Sequence, residues 1–372
     1  MFPMKIALIT NLCSHYRYKL FKILIENHQF SVYFFENLEK SKEDIEHLTV
    51  YKNFAGFSYM PVRKILQKLL KNKYDVIIKC TNNKWAFFGC FLISKIIKAK
   101  FIVWHSIWYY PETMQYKLFS WLFLKILKDC TDAIVVYGEH GKRFLVEKGI
   151  NPEKIFIAWQ TVDNEMYGRN ISEKELEDIY AKYNLKKNVP IILYVGRIVE
   201  LKGIEYLLEA SKILKNRGLE FTLFFVGDGK MRAFVENFCQ KEGIDYRISG
   251  IVSHDALPPF YKIATLLVLP SITTKTFKEP WGLVVNEAFN QGCPAIVTDA
   301  VGAGIGGLVR NEENGLIVPE RNAFALAEAI ERILKDNKLR ERMSEKAKEE
   351  IKEWTYERQA QGFLDAVTHC LK

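Results

Sequence analysis

The residues with the clearest chemical content lie in the second half of the chain, in the segment 278–299, "KEPWGLVVNEAFNQGCPAIVTD". Glu279 and Glu287 are separated by seven residues across a loop-to-helix junction, with Pro280 and Gly282 marking the loop and a helix expected from Leu283. Amides near Gly282, Leu283 and Val284 lack intrahelical acceptors and carry the positive end of the helix dipole, which suits a diphosphate. Glu279 then stands outside the helix and Glu287 about one turn inside it. The two carboxylates are expected to meet different hydroxyls of one ligand rather than to share a proton. A second segment, "VGRIVELKG", follows an apolar run at 191–195. Gly196 permits a sharp exit there, and Arg197 and Lys202 are two cations able to neutralise a pyrophosphate and stabilise it as a leaving group. The turn "VGDG", with Gly227, Asp228 and Gly229, ends the next apolar run and allows close backbone approach to a nucleotide.

The first half offers a histidine. "FIVWHSIWYYPE" puts His105 at the carboxyl end of an expected central strand, where it can hydrogen-bond a sugar or help move a proton, and Trp108, Tyr109 and Tyr110 supply flat apolar faces. Taken alone, such a histidine reads as structural. After the first strand, "NLCSHYRYKLF" places His15, Tyr16 and Arg17 where an acceptor could be met. A competing motif, "GAGIGG", sets Gly302, Gly304 and Gly307 at dinucleotide-fingerprint spacing, but the residues that follow soon turn polar, so a flexible loop closing over the ligand is preferred. No Asp-x-Asp pair and no His-x-x-x-His cluster announces a metal site.

These groups must be positioned by alternating strands and helices. Apolar β-rich runs at 5–10, 30–35, 75–79, 101–104 and 133–137 are separated by helical patterns at 18–26, 62–71, 85–97, 115–128 and 139–148. A second series has strands at 191–195, 221–226, 266–269 and 295–298, with helices at 204–215, 231–241, 283–290 and 324–334. The expected fold is α/β, with two facing Rossmann-like domains and a cleft between them. Residues 1–170 form the first domain, 171–189 a charged linker and 190–354 the second domain. A last helix within 355–372 is expected to pack back on the first domain. At 372 residues two cores are the natural prior.

The net charge of +9 is uneven: residues 1–170 hold 25 Lys and Arg against 15 Asp and Glu, whereas residues 171–372 hold 28 against 29. A basic face attracts anionic lipid, phosphorylated lipid carriers or nucleic acid, and charge alone does not choose. "PVRKILQKLLKNK" aligns Val62, Ile65, Leu66, Leu69 and Leu70 on one helical face and carries five cations with no acid. It suits a helix packed on its sheet with a solvated basic face, or a surface resting on anionic membrane. The apolar run 85–97 is too short to span a bilayer, no export signal is evident, and seven cysteines without a Cys-x-x-Cys pair fit reduced thiols. The expected location is cytoplasmic, or peripheral on the cytoplasmic face of the membrane.

The ordered set "GR" then "KG", "GDG", and Glu-x7-Glu ending in "GCPAIVTD", from about 191 to 354, resembles family 4 of the GT-B glycosyltransferases, which transfer a sugar from a nucleotide donor with retention. The resemblance implies that Arg197 and Lys202 bind the diphosphate, that Gly282, Leu283 and Val284 complete its cradle, that Glu287 holds the ribose and that Glu279 contacts the donor sugar. It also turns His105 into a catalytic candidate facing that sugar. "WQTVD" is similar to the family's Asn-Gly-Val-Asp turn, with Val162 and Asp163 retained, while the Gly-Gly pair common after the first strand is absent. The implied reaction moves a sugar, preferably from a UDP-sugar with GDP-mannose as the alternative, to a hydroxyl of a glycan or lipid-linked acceptor, with no nucleic-acid partner and no cofactor. The rivals are a non-catalytic nucleotide-sugar-binding partner of an assembly and an NAD-dependent oxidoreductase built on Gly302–Gly307. Arg197, Lys202 and the helix amides take the charge-neutralising place of Mg²⁺, so a chelator is expected to leave activity intact; its abolition by chelation in a transfer assay would overturn metal independence.

Overall fold

The computed structural model describes residues 4–35, 55–110 and 114–372. The chain forms two compact units, residues 1–161 with 356–372, and residues 162–355.

The first unit holds a seven-stranded sheet of β1 (Ile6–Thr10), β2 (Phe30–Phe34), β3 (Phe57–Tyr59), β4 (Val76–Cys80), β5 (Lys100–His105), β6 (Ala133–Val136) and β7 (Ile155–Ile157), in the order β3-β2-β1-β4-β5-β6-β7. Every described pairing is parallel, as Ile6 with both Phe30 and Val76 shows. The strands IALIT and VIIKC are buried along their whole length, the pattern of a sheet covered by helices on both faces. The connecting helices are α1 (His15–His28), α2 (Val62–Asn72), α3 (Lys84–Ile96), α4 (Met114–Asp129) and α5 (Glu139–Glu147). Ile65 and Leu69 of α2, Phe87 and Ile93 of α3, and Phe123 and Leu127 of α4 share one core with Ile9, Ile77 and Val103 of the sheet.

The second unit repeats the plan with β8 (Ile191–Val195), β9 (Thr222–Val226), β10 (Tyr246–Ile248), β11 (Leu266–Leu269), β12 (Ala295–Thr298) and β13 (Gly315–Val318), in the order β10-β9-β8-β11-β12-β13. Its helices are α6 (Asn164–Tyr167), α7 (Glu173–Lys182), α8 (Ile204–Asn216), α9 (Arg232–Glu242), α10 (Pro258–Ile263), α11 (Val284–Asn290), α12 (Gly302–Ile305), α13 (Ala323–Lys335) and α14 (Asn337–Ile351). In each sheet the connections reverse direction at one place, between β1 and β4 and between β8 and β11. Such a switch point opens a crevice at the carboxyl ends of the strands, where ligands of this architecture sit.

The charged stretch 171–189 is folded structure of the second unit rather than a linker. Ser172 and Glu175 form a capping box at the start of α7, the Ser172 hydroxyl accepting from the Glu175 amide at 3.3 Å and the Glu175 carboxylate accepting from the Ser172 amide at 3.0 Å. Tyr183 then packs on Phe224 and Phe260. The four strands without a sequence counterpart, β3, β7, β10 and β13, are the four sheet edges, three or four residues each. With a neighbour on one side only they need no long apolar run. Helix α14 was also not foreseen, because its buried stripe, Leu339, Met343, Ala347 and Ile351, is a single row in a charged sequence. Among the described residues no helix is long and apolar enough to cross a membrane, and all seven cysteines are free.

The last helix, α15 (Tyr356–His369), packs on α1, β6 and β7 of the first unit. Phe363 meets the Trp104 ring edge-on at 5.1 Å, the Gln359 amide donates to Gln160 at 2.9 Å, and the Tyr356 hydroxyl donates to the Tyr16 carbonyl at 2.9 Å. A side chain at Gly362 would place its Cβ 2.2 Å from the Ile157 carbonyl oxygen, so only glycine lets the helix settle. Gly362→Ala is therefore expected to cost the first unit about 1–3 kcal/mol, the usual penalty of overpacking, read as a lower urea midpoint; an unchanged midpoint would contradict this docking.

Candidate functional site

The residues singled out in the second half gather at the switch point between β8 and β11. Strand β8 ends at Val195, and the chain turns through Gly196 at φ 142° into the loop carrying Arg197. The Tyr194 hydroxyl donates to the Arg197 carbonyl at 2.6 Å, fixing the main chain while the Arg197 side chain stays exposed and forms no ion pair among the described residues. One turn later Lys202 precedes Gly203, whose φ is 69°. A Cβ at Gly203 would stand 1.8 Å from the Pro270 carbonyl oxygen. The "KG" pair is thus imposed by close approach of the loop after β8 to the chain leaving β11.

That approach brings Lys202 onto Glu279. The Lys202 ammonium and the Ser271 hydroxyl both donate to the Glu279 Oε2, the hydroxyl at 3.1 Å, and Glu279 is buried. The Glu279 main chain is pinned as well, its carbonyl accepting from the Gly302 amide at 3.2 Å. A buried carboxylate needs such compensation, because desolvation of an unpaired ion costs several kcal/mol or more. Ser271 was not foreseen; its place directly after the β11 run, in "LPS", was the available signal.

Gly282, at φ 100°, turns the chain into α11, and Gly282, Leu283 and Val284 are half-buried at its start. The turn is braced by the Trp281 indole donating to the Asn286 side chain at 2.8 Å. Glu287 points elsewhere. Its carboxylate accepts from the Tyr261 hydroxyl and also meets the Tyr167 hydroxyl, two residues that sequence reasoning missed. Burial pushes Glu287 up to about 7, opposed by those hydroxyls, and burial holds the Tyr261 phenol well above its usual value as a permanent donor. The two glutamates therefore occupy separate polar boxes, one closed by a cation and the other by phenols.

Gly227 and Asp228 have a structural account that differs from the expected approach to a nucleotide. A Cβ at Gly227 would stand 2.0 Å from the Gly196 carbonyl oxygen, and the two loops are stitched by Ile198 donating to the Asp228 carbonyl at 2.9 Å. The Asp228 carboxylate pairs with Arg232 at 3.2 Å on the surface. The segment 302–307 is not a flexible loop: Gly302–Ile305 form one buried helical turn, with Gly304 against Val297, so the long helix of a dinucleotide fold is absent.

In the first unit His105 ends β5 as a buried residue. Its ring stacks on Phe123, with centroids at 5.9 Å, and Nε2 lies 3.2 Å from the Tyr110 hydroxyl. Burial lowers its pKa to about 3, with a small opposing contribution from the Ile107 main chain. Burial therefore favours the neutral imidazole, which can hydrogen-bond through Nε2. Trp108 is buried edge-on to His140 at 5.1 Å and offers no free face, whereas Tyr109 is half-buried. Arg17 donates to the Tyr137 hydroxyl at 2.8 Å and lies over the Trp104 ring at 4.7 Å, tying α1 to the end of β6. His15 and Tyr16, half-buried at the start of α1, stack edge-on. At the switch point of this sheet, the buried Lys79 donates to the Asn82 carbonyl at 2.8 Å, and Asn82 donates to Asn11 at 2.7 Å. Among the described residues no cluster of three or more His, Cys, Asp or Glu could hold a metal.

Residues 176–350 match the family described as glycosyl transferases group 1. The chain is 34% identical over 178 residues to an alpha-D-kanosaminyltransferase of Streptomyces kanamyceticus, covering 47% of this chain and 44% of the relative. It thus spans about half the length of the curated relatives first matched. Among solved structures it superposes on a glycosyltransferase from Rickettsia africae with a TM-score of 0.78 at 19% identity, covering both chains completely. It also superposes on Anabaena HepE in complex with UDP, with a TM-score of 0.74 at 17% identity, covering 98% of this chain and all of the other. The fold is that of the GT-B glycosyltransferases, as the resemblance read from the sequence implied.

The raised pKa of Glu287 gives a test of its burial. Below 4.5 the carboxyl is neutral in both states; between 4.5 and about 7 the unfolded chain ionises first, so stability falls as pH rises through that window and levels off above it. Glu287→Gln removes a cost on the order of 3 kcal/mol at full ionisation. The variant is expected to gain stability over wild type in urea melts at about pH 8 but not at about pH 4. Equal pH slopes for the two proteins would contradict this environment.

Proposed function

We propose that this chain, which has the GT-B fold and whose residues 176–350 match the glycosyl transferases group 1 family, transfers a sugar from a nucleoside-diphosphate donor to a hydroxyl of a glycan or lipid-linked acceptor, with retention, as a family 4 enzyme. The carrying observation is the Lys202–Glu279–Ser271 constellation beside the start of α11 at a sheet switch point. A UDP-sugar is the preferred donor, in line with the UDP bound by the structural neighbour HepE, and GDP-mannose is the alternative.

In this reading Glu279 accepts from donor-sugar hydroxyls. Lys202 already balances its charge, which suits hydroxyl binding better than attack on the anomeric carbon. Arg197, Lys202 and the amides of Leu283 and Val284 stabilise the diphosphate as the glycosyl–oxygen bond breaks, and the acceptor hydroxyl attacks from the same face, its proton passing to the departing diphosphate oxygen. Glu287, held between two phenols, positions the ribose. His105 serves as a neutral hydrogen-bond partner, and His15, Tyr16 and Tyr109 are assigned to the acceptor side. No metal is required, and the enzyme works in polysaccharide or glycoconjugate assembly on the cytoplasmic side of the membrane. The oxidoreductase reading loses its basis with the single turn at 302–305.

Purified protein with a panel of UDP- and GDP-sugars and glycan or lipid-linked acceptors is expected to release the nucleoside diphosphate and form product. Glu279→Gln and Lys202→Ala should each lower kcat/KM by about 100-fold or more, the scale for losing a group that stabilises the transition state. Thermal stabilisation by a nucleotide sugar without turnover would favour the non-catalytic binding partner; neither stabilisation nor turnover with any donor would overturn the assignment.

A further inference from the structure

The first unit carries an apolar surface that the transfer reaction does not use. Trp85, Leu92 and Ile96 of α3 are 86%, 60% and 70% exposed, and their spacing of seven and eleven residues places them on one stripe of the helix. On the neighbouring helices Trp121 and Leu122 of α4 and Leu70 of α2 are also exposed. These six make up more than half of the large hydrophobic side chains that stand exposed among the described residues, on three consecutive helices. The helices adjoin on one side of the sheet: Leu66 of α2 packs where a Cβ on Gly89 of α3 would be, and the Lys95 ammonium of α3 donates to the Cys130 carbonyl just past α4 at 2.9 Å. Their inner faces already fill the core, and among the described residues the stripe takes no part in it. Contiguous exposed apolar area of this kind marks an interaction surface.

Charge identifies the occupant. Arg63, Lys64 and Lys71 on α2, Lys84 and Lys98 at the ends of α3, and Lys128 on α4 are exposed around the stripe. Helices α2 and α3 contain no Asp or Glu, and α4 contains only Asp129 near its end. A second copy of the same face would bring like charges together, and protein interfaces are depleted in lysine. Tryptophan and aliphatic side chains ringed by lysines suit the boundary of an anionic bilayer, where rings sit at headgroup level and each nearby cation adds attraction. We infer that the face formed by α3, flanked by α2 and α4, rests on an anionic lipid bilayer, with Trp85, Leu92, Ile96 and Trp121 inserted at the headgroup boundary. The basic helix singled out in the sequence supplies the charged rim, while the inserted foot belongs to its neighbours.

The test uses the full chain with phosphatidylcholine vesicles, with and without phosphatidylglycerol, and no donor or acceptor, so its outcome is separate from that of the transfer reaction. Wild type is expected to sediment with phosphatidylglycerol-containing vesicles, less so at high salt, and its tryptophan fluorescence to be quenched by brominated lipid. Trp85→Ala combined with Leu92→Ser and Ile96→Ser should weaken binding by about tenfold or more, since buried apolar area drives insertion. Phe234→Ala, an exposed aromatic of the second unit, should bind as wild type does. The mutated side chains are exposed, so an unchanged melting temperature accompanies the loss. Absence of vesicle binding by wild type, equal binding by the triple variant, or loss of a dimer in that variant with vesicle binding unchanged would each overturn the inference.

Discussion

The pairing of Lys202 with Glu279 sets the terms for the second unit of the molecule. A carboxylate this buried persists as an ion only with a cation and a hydroxyl in contact, and the two charges come from loops after different strands. Their meeting requires β8 and β11 to lie side by side, Gly203 to pass against the Pro270 carbonyl, and the Glu279 main chain to be held at Gly302. The parallel sheet provides the first condition, because its switch point leaves two strand ends adjacent with their connections departing in opposite directions. The glycines provide the second, by having no Cβ where another backbone passes.

Two glutamates eight positions apart consequently acquire different chemistry. Glu279 is paired with an ammonium, whereas Glu287, among phenols, is pushed up to about 7 by burial. The first environment favours gripping hydroxyls through a balanced negative charge. The second makes the protonation of Glu287 responsive to its surroundings. In the first unit burial lowers the pKa of His105, and Arg17 is engaged by Tyr137 and Trp104. Burial together with the partner it leaves in contact shapes the chemistry of each of these groups.

The inner faces of α2, α3 and α4 build the core of the first unit, and their outer faces differ in a way that the inner faces do not require. Charge on α2 adjoins the exposed Trp85, Leu92 and Ile96 of α3, while the unit's own core is built from the opposite sides of the same helices.

The sequence by itself determined the α/β class, the central strands of both sheets and the order of the loop motifs that carry Arg197, Lys202, Glu279 and Glu287. Fully buried parallel strands must be continuous apolar runs, and loop motifs that need glycine and charge at fixed offsets leave those residues legible in order. The edge strands, the helix within 171–189 and α14 were decided by tertiary contacts, since a strand with one neighbour or a helix with a single buried row needs little local signal. Tertiary structure alone also decided the partners: Ser271 with Glu279, Tyr261 and Tyr167 with Glu287, Gly227 against Gly196, and the burial of His105 and Trp108. A residue's type and its place in the chain state what it could bond to. Which partner it meets, and whether water reaches it, depends on segments distant in sequence that only the fold brings together.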